Sequence, residues 1–80
     1  MDTSDAQTLI QTELYRIAPE LMGSELPLNE DLRDAADLDS MDFLRLVAAV
    51  SKQTQCIIPE ADYPKILTLQ GFASYLSQPR

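Results

Sequence analysis

Apolar residues recur at helical spacing in three segments of this chain, and no segment alternates apolar and polar residues over a useful length. The spacing predicts helices from about Ser4 to Ala18, from Met41 to about Gln53, and from Leu69 to about Ser77. Helices of these lengths do not hold their shape alone in water, so they must bury their apolar faces against one another. The helical spacing in these three segments therefore predicts an all-α fold.

Each predicted helix has a start signal. Ser4 followed by Gln7 matches a capping box at the start of the first helix. Either Asp39 or Ser40 is able to cap the free N–H groups at the start of the second, and Thr68 is the predicted cap of the third.

A long connection separates the first two helices. It begins at Pro19, which disfavours a helical conformation for the residue before it. Connections of this length are uncommon in small domains, so we expect apolar side chains to fix it to the core. The candidates are its leucines, Leu21, Leu26, Leu28, Leu32 and Leu38.

A short helical element, 3₁₀ in part, is predicted over Glu60 to Ile66. Three main helices and one short one, with a long loop between the first and second, predict a small four-helix bundle formed by residues 1–80 as a single domain. On a helical wheel the side of the second helix predicted to face the core carries Phe43, Leu44, Leu46, Val47 and Val50. The side predicted to face outward carries Met41, Arg45, Ala48 and Lys52.

The composition argues against several classes of function. Thirteen acidic residues against six basic ones give a net charge of −7, whereas nucleic-acid binding needs clustered Lys and Arg. The chain has no histidine, which removes Ser-His-Asp and Cys-His catalysis and every His-containing metal site. Cys56 is the only cysteine, so neither an internal disulfide nor a cysteine cluster for zinc can form. We therefore expect no enzymatic activity from the chain itself and no nucleic-acid partner.

The acidic charge concentrates in residues 30–42, which carry six acids and one base. These acids lack the alternating ligands, the glycine and the final glutamate of an EF-hand loop, so we expect no specific calcium site. The sequence also shows neither a secretory signal pattern nor the run of roughly twenty apolar residues that spans a membrane. We expect a cytoplasmic monomer that does not insert into membranes.

The most distinctive segment covers residues 37–42, where Ser40 stands at the first turn of the second helix and at the end of the acidic loop. A large enzyme is able to reach a hydroxyl at such a junction. The helix dipole and the unpaired N–H groups there favour an attached phosphate. The alternative is that Ser40 only caps the helix.

The wider pattern resembles an acyl carrier protein over nearly the whole chain. The motifs that carry the resemblance are Glu30-Asp31-Leu32, Leu38-Asp39-Ser40-Met41-Asp42, Leu44, Leu46-Val47, Ala49, Ile58-Pro59-Glu60, Thr68-Leu69 and Tyr75-Leu76. The resemblance implies that Ser40 is esterified with 4′-phosphopantetheine, which a phosphopantetheinyl transferase takes from coenzyme A. It implies that the arm's thiol carries an acyl group as a thioester for acyl-activating, acyl-transferring or condensing enzymes of a fatty-acid, polyketide or other specialised pathway. Because the reactive sulfur belongs to the arm, the chain needs no catalytic residues of its own.

The resemblance also implies roles for the residues around Ser40. Asp39 assists the transferase and its magnesium, although compensation of the helix dipole explains this residue equally well. Partner enzymes dock on the outward side of the second helix, at Met41, Asp42, Arg45, Ala48 and Lys52. In generic fatty-acid carriers this side bears acids that meet basic patches on their enzymes. Here Arg45 and Lys52 are bases, which predicts dedicated partners with an acidic or neutral surface near Met41. Alternatively, these two bases only form pairs on the helix surface, Arg45 with Asp42 for instance, and leave recognition to the acidic loop.

Two departures from the family pattern bear on these expectations. The loop before Ser40 lacks the usual glycine, so the residue that turns the chain is not evident from the sequence. The Gly-Gly that often precedes the Asp-Ser of peptidyl carriers is also absent, which favours an acyl cargo over an aminoacyl one. An aminoacyl or peptidyl carrier and an unmodified, carrier-like interaction module remain the alternatives.

Overall fold

A computed structural model describes residues 2–23 and 26–78. Four α-helices and two 3₁₀-helices make up most of this part of the chain, and it contains no strand. The α-helices are α1 (Thr3–Ile17), α2 (Leu32–Ala35), α3 (Ser40–Thr54) and α4 (Leu69–Ser77), and the 3₁₀-helices are η1 (Pro19–Leu21) and η2 (Glu60–Ile66). The all-α, four-helix prediction is confirmed: α1, α3 and α4 are the main helices and η2 is the short one. The four-residue α2 was not predicted.

The start of α1 differs from the prediction. Asp2, rather than Ser4, caps the helix: its Oδ1 accepts a hydrogen bond from the Asp5 N–H at 2.8 Å. Asp is as good a cap as Ser, and its negative charge also interacts favourably with the positive end of the helix dipole. The predicted capping box is therefore wrong, and the helix begins one residue earlier. It ends one residue earlier as well, because Ala18 precedes Pro19 and leaves the helical region, at φ −132°.

The bundle is built around α1, which packs against both α4 and α3. A hydrogen bond of 3.3 Å between the hydroxyls of Thr3 and Ser77 joins the first turn of α1 to the last turn of α4, so the two helices run antiparallel. Most of the buried apolar residues in the described part of the chain form one cluster. Its largest fully buried side chains are Phe72, Ile10, Leu14, Leu32, Leu46, Ile66, Leu69 and Val50.

The connection between α1 and α3 is held mostly as predicted. Leu32 and Leu38 are buried, and Leu21 and Leu26 pack against the core from partly exposed positions. Leu28 is the exception at 44% exposed. Its contribution comes from the backbone, because its carbonyl accepts a hydrogen bond from the Gln70 N–H at 3.0 Å.

Backbone pairing also joins the connection to the start of α4. The Leu32 N–H donates to the Leu67 carbonyl at 2.7 Å, and Asp31 forms an antiparallel bridge with Thr68. Thr68 caps α4 as predicted, accepting a hydrogen bond from the Gly71 N–H at 2.9 Å. These bonds place α2 next to the junction between η2 and α4.

η2 is fixed against α4 by two close approaches. The Tyr75 hydroxyl donates to the Asp62 carboxylate at 2.7 Å, and this hydrogen bond lowers the pKa of Asp62. Gly71 lies so close to η2 that a Cβ there would stand 2.6 Å from the Lys65 carbonyl oxygen. The missing side chain therefore lets η2 sit directly on α4.

The buried and exposed sides of α3 agree with the helical-wheel prediction, with one correction. Phe43, Leu46, Val47 and Val50 are buried, whereas Leu44 is 42% exposed and does not belong to the core. The reason is that Leu44 lies at the border of the apolar side, where α3 borders a groove rather than another helix. The four residues predicted to face outward, Met41, Arg45, Ala48 and Lys52, are all exposed.

We predict that Phe72→Ala lowers the free energy of unfolding by about 3–5 kcal/mol, because Phe72 is fully buried at the centre of the α4 face. A domain of this size has only roughly 5–15 kcal/mol to lose. Urea denaturation followed by circular dichroism checks this, with Ser74→Ala on the exposed side of α4 as the matched control. Equal midpoints for the two variants would show that α4 does not pack as described.

Candidate functional site

Ser40 is the first residue of α3, and it is exposed. The cap of this helix is Asp39, in extended conformation at φ −85° and ψ 179°, whose Oδ1 accepts from the Asp42 N–H at 2.8 Å. Within residues 2–23 and 26–78 the Ser40 hydroxyl makes no hydrogen bond. Of the two residues able to cap α3, Asp39 does so, and the hydroxyl of Ser40 stays available for chemistry.

The chain reaches Ser40 through a turn that normally calls for glycine. Asp37 supplies the turn instead, with a left-handed φ of 53°, a conformation that Asp tolerates better than most residues. The next residue, Leu38, is buried, and its N–H donates to the Arg33 carbonyl at 2.9 Å. Buried Leu38 thus fixes the chain immediately before the exposed Asp39-Ser40 pair.

The electrostatic environment of Ser40 has two parts. The first intrahelical bond of α3 joins the Phe43 N–H to the Asp39 carbonyl at 3.0 Å, so the N–H groups of Ser40 and Met41 precede the bonded part of the helix. They add to the positive end of the dipole of a fifteen-residue helix, which favours an anion on the Ser40 oxygen. The carboxylates of Asp37 and Asp39, both exposed, make the surrounding surface acidic.

A groove of about 220 Å³ opens beside Ser40, where α2, α3 and η2 meet. Its lining consists of Arg33, Ser40, Phe43, Leu44, Glu60, Tyr63 and Leu67. The rings of Phe43 and Tyr63 meet edge to face, 6.2 Å apart and at 85°, which joins α3 to η2.

The sequence alone does not predict this groove. The one available signal is Leu44, which lies four residues after Ser40 and thus on the same side of the helix, but the helical wheel predicts that it faces the core. Arg33 and Tyr63 come from segments whose position depends on the tertiary fold, so no local pattern places them near Ser40.

Arg33 is held at the rim of the groove by Asp31. Its guanidinium donates two hydrogen bonds to that carboxylate, from Nε at 3.1 Å and from Nη2 at 2.8 Å. These bonds lower the pKa of Asp31 and raise that of Arg33. Asp31 also caps α2 by accepting from the Arg33 N–H at 2.9 Å, so one carboxylate fixes both the helix and the side chain.

The outward side of α3 carries the remaining candidate residues. Met41 is 60% exposed at the end nearest Ser40. Arg45 lies 3.7 Å from the Asp42 carboxylate, as the surface-pair alternative predicts. Lys52 pairs with no carboxylate in the described part of the chain. The basic charge of this side is therefore unopposed at Lys52 and only partly compensated at Arg45.

Two other kinds of feature, a metal site and a membrane span, are absent from the described residues. No group of three or more Cys, Asp or Glu side chains there stands close enough to hold a metal ion. No helix in that same part of the chain has the length and apolar character that crossing a membrane requires.

A family model described as a phosphopantetheine attachment site matches residues 7–76. The chain belongs to this family. It is a carrier protein with a covalently attached 4′-phosphopantetheine; carriers of this kind are modified by a transferase, act with partner enzymes and are generally not catalysts themselves. No solved structure matches the carrier significantly. The geometry at Ser40 fits the cofactor, because its hydroxyl is exposed, makes no hydrogen bond to a described residue and lies at a helix N-terminus, which favours an attached phosphate.

We predict that Asp39→Ala lowers the free energy of unfolding of this carrier by about 1 kcal/mol, because the Asp42 N–H loses its acceptor. Asp39→Asn should keep most of that stability, since Asn caps as well as Asp. Thermal denaturation of both variants checks the cap. Equal losses for Ala and Asn would mean that the charge of Asp39, rather than its hydrogen bond, stabilises α3.

Proposed function

We propose that Ser40 carries the 4′-phosphopantetheine of this carrier, and that the carrier holds an acyl group as a thioester and presents it to the enzymes of a fatty-acid, polyketide or other specialised pathway. The observation that supports the proposal is that different residues cap α3 and present the hydroxyl. Asp39 supplies the cap, and Ser40 presents an exposed hydroxyl without a hydrogen bond to any described residue.

In this proposal the chain itself holds and orients the attached arm. The first turn of α3 offers positive potential to the phosphate, and buried Leu38 keeps the attachment point in a fixed position at the surface. Asp39 supplies negative charge next to Ser40 for the transferase and its magnesium. The bound group supplies a thiol, which explains how a chain without histidine, and with its one cysteine buried, takes part in acyl transfer without being an enzyme.

The proposed docking surface for partner enzymes is the outward side of α3, defined by Met41, Asp42, Arg45, Ala48 and Lys52. Exposed Met41 offers an apolar contact next to the arm, and Arg45 and Lys52 give the side a basic character that a basic partner would repel. We therefore infer that the partner surface that contacts Met41 is acidic or neutral. Generic fatty-acid synthesis enzymes with basic patches should be poor partners.

We predict that incubation with coenzyme A, magnesium and a broad-specificity phosphopantetheinyl transferase adds one arm to the wild type and none to Ser40→Ala. Intact mass and peptide fragmentation measure the addition and its position. Ser51→Ala, in the last turn of the same helix, is the matched control and should load like the wild type.

Asp39→Asn keeps the cap while removing the charge, so slower loading of this variant would support the assisting role of Asp39. Modification at another residue, or failure of the wild type with several transferases, would contradict the proposal and favour an unmodified interaction module.

We predict that Arg45→Gln/Lys52→Gln speeds acyl transfer from the loaded carrier to a ketosynthase with a basic docking patch, because it removes the repulsion between these two bases and that patch. The gain should fall as salt rises from about 0.01 to 1 M, over which the Debye length shrinks from about 30 to 3 Å. A Ser4→Glu/Thr12→Glu variant changes the net charge equally but on exposed positions of α1, so it should show a smaller gain. Equal effects of the two double variants would show that total charge, rather than the α3 surface, governs docking.

A further inference from the structure

The basic side chains of this carrier are unequally paired with carboxylates. Of the five bases in residues 2–23 and 26–78, three lie within 3.5 Å of a carboxylate oxygen: Arg16, Arg33 and Lys65. The ion pair of Arg45 is longer, at 3.7 Å, and Lys52 pairs with no carboxylate in this part of the chain. The two least compensated positive charges therefore lie together on the outward side of α3.

These two bases flank an apolar stripe that has the same period. Arg45 and Lys52 are seven residues apart, which is two turns of helix and about 10.5 Å along the axis. Exposed apolar side chains follow at positions i, i+3 and i+7, namely Met41, Leu44 and Ala48. On a helical wheel both bases fall on one edge of this stripe, and Leu44 falls on the other. This apolar spacing is the one at which one helix packs along another.

The distance between the two bases determines which shape of partner is complementary. On a partner α-helix, two acids seven residues apart project from one side and lie about 10.5 Å apart, so each meets one base. On a β-strand the same distance corresponds to about three residues, and side chains three residues apart point to opposite faces. A helix laid along α3 therefore pairs with both Arg45 and Lys52, and an extended segment does not.

The complementary helix belongs to a different protein rather than to a second copy of this chain. No helix in the described part of the chain carries two exposed acids seven residues apart: α1 has the exposed Asp5 and the buried Glu13, and α3 has only Asp42. The net charge of −7 also repels acidic proteins in general. An acidic helix offsets this repulsion only where its charges reach Arg45 and Lys52, which makes the pair a source of selectivity.

We propose that the outward side of α3 binds an α-helix of a partner protein, which lays an apolar stripe over Met41, Leu44 and Ala48 and places two acids, seven residues apart, against Arg45 and Lys52. This inference rests on the proposed function and narrows its docking surface to one class of partner. The small side chain of Ala48 lets the two helix axes approach to the roughly 8–10 Å of packed helices.

The test titrates the unloaded, ¹⁵N-labelled full chain with a synthetic helical peptide that has a leucine stripe and two Glu seven residues apart at one edge of it. A side-chain cross-link holds the peptide helical, because short helices are marginal in water. The control peptide has the same composition but carries both Glu on the side opposite the stripe. We expect the first peptide to shift the amide signals of α3 and to bind about two- to thirtyfold more tightly than the control, as two exposed ion pairs allow. This preference should fall as salt rises.

Two variants of the carrier assign the preference to the α3 surface. Arg45→Gln/Lys52→Gln should make the affinities of the two peptides equal. Ser4→Glu/Thr12→Glu makes the same change in net charge at exposed positions of α1 and should keep the preference of the wild type. Circular dichroism checks that both variants are folded.

Equal affinities of the two peptides for the wild type would overturn the inference, and so would the absence of shifts in α3. Tighter binding of a peptide with Lys in place of both Glu would show that the partner surface is basic instead. Because the unloaded carrier is used, none of these outcomes bears on attachment of the arm at Ser40. Failure of Ser40 to load would contradict the proposed function while leaving the measured peptide preference intact.

Discussion

The hydrogen bond from the Asp42 N–H to the Asp39 carboxylate is the interaction on which the site depends. It caps α3, so the neighbouring serine is not needed as the cap. A serine that capped the helix would point its hydroxyl at the backbone and would be difficult to esterify without loss of stability. Here the cap and the proposed attachment point are adjacent but separate residues, so modification of Ser40 leaves the cap in place.

The rest of the fold positions this junction. Buried Leu38 and the left-handed Asp37 end the acidic connection at the head of α3, and backbone pairing with the start of α4 fixes α2 beside it. Burial of apolar side chains in the α1, α3 and α4 bundle provides most of the stability of such a domain. The site itself is exposed and contributes little to that stability, which suits a group that several enzymes must reach in turn.

The main helices, the cap of α4 and the exposed side of α3 could be predicted from the sequence, because periodicity and capping act over a few neighbouring residues. The predicted cap of α1 was wrong, because Asp2 and Ser4 are both good caps and the local sequence does not distinguish between them. The short α2 and the exposure of Leu44 depend on contacts with η2 and α4, which are distant in the chain. The groove beside Ser40 could not be predicted for the same reason: Arg33 and Tyr63 reach it through the tertiary fold alone.

The mass of the intact protein, purified from its native cell, shows whether this carrier holds its arm on Ser40. Fragmentation of the unproteolysed chain then locates any added mass. We expect one addition on Ser40, equal to the bare arm or to the arm with an acyl group, and the excess over the bare arm gives the mass of the cargo. A population that carries no addition, or carries it on another residue, would show that Ser40 does not hold the arm.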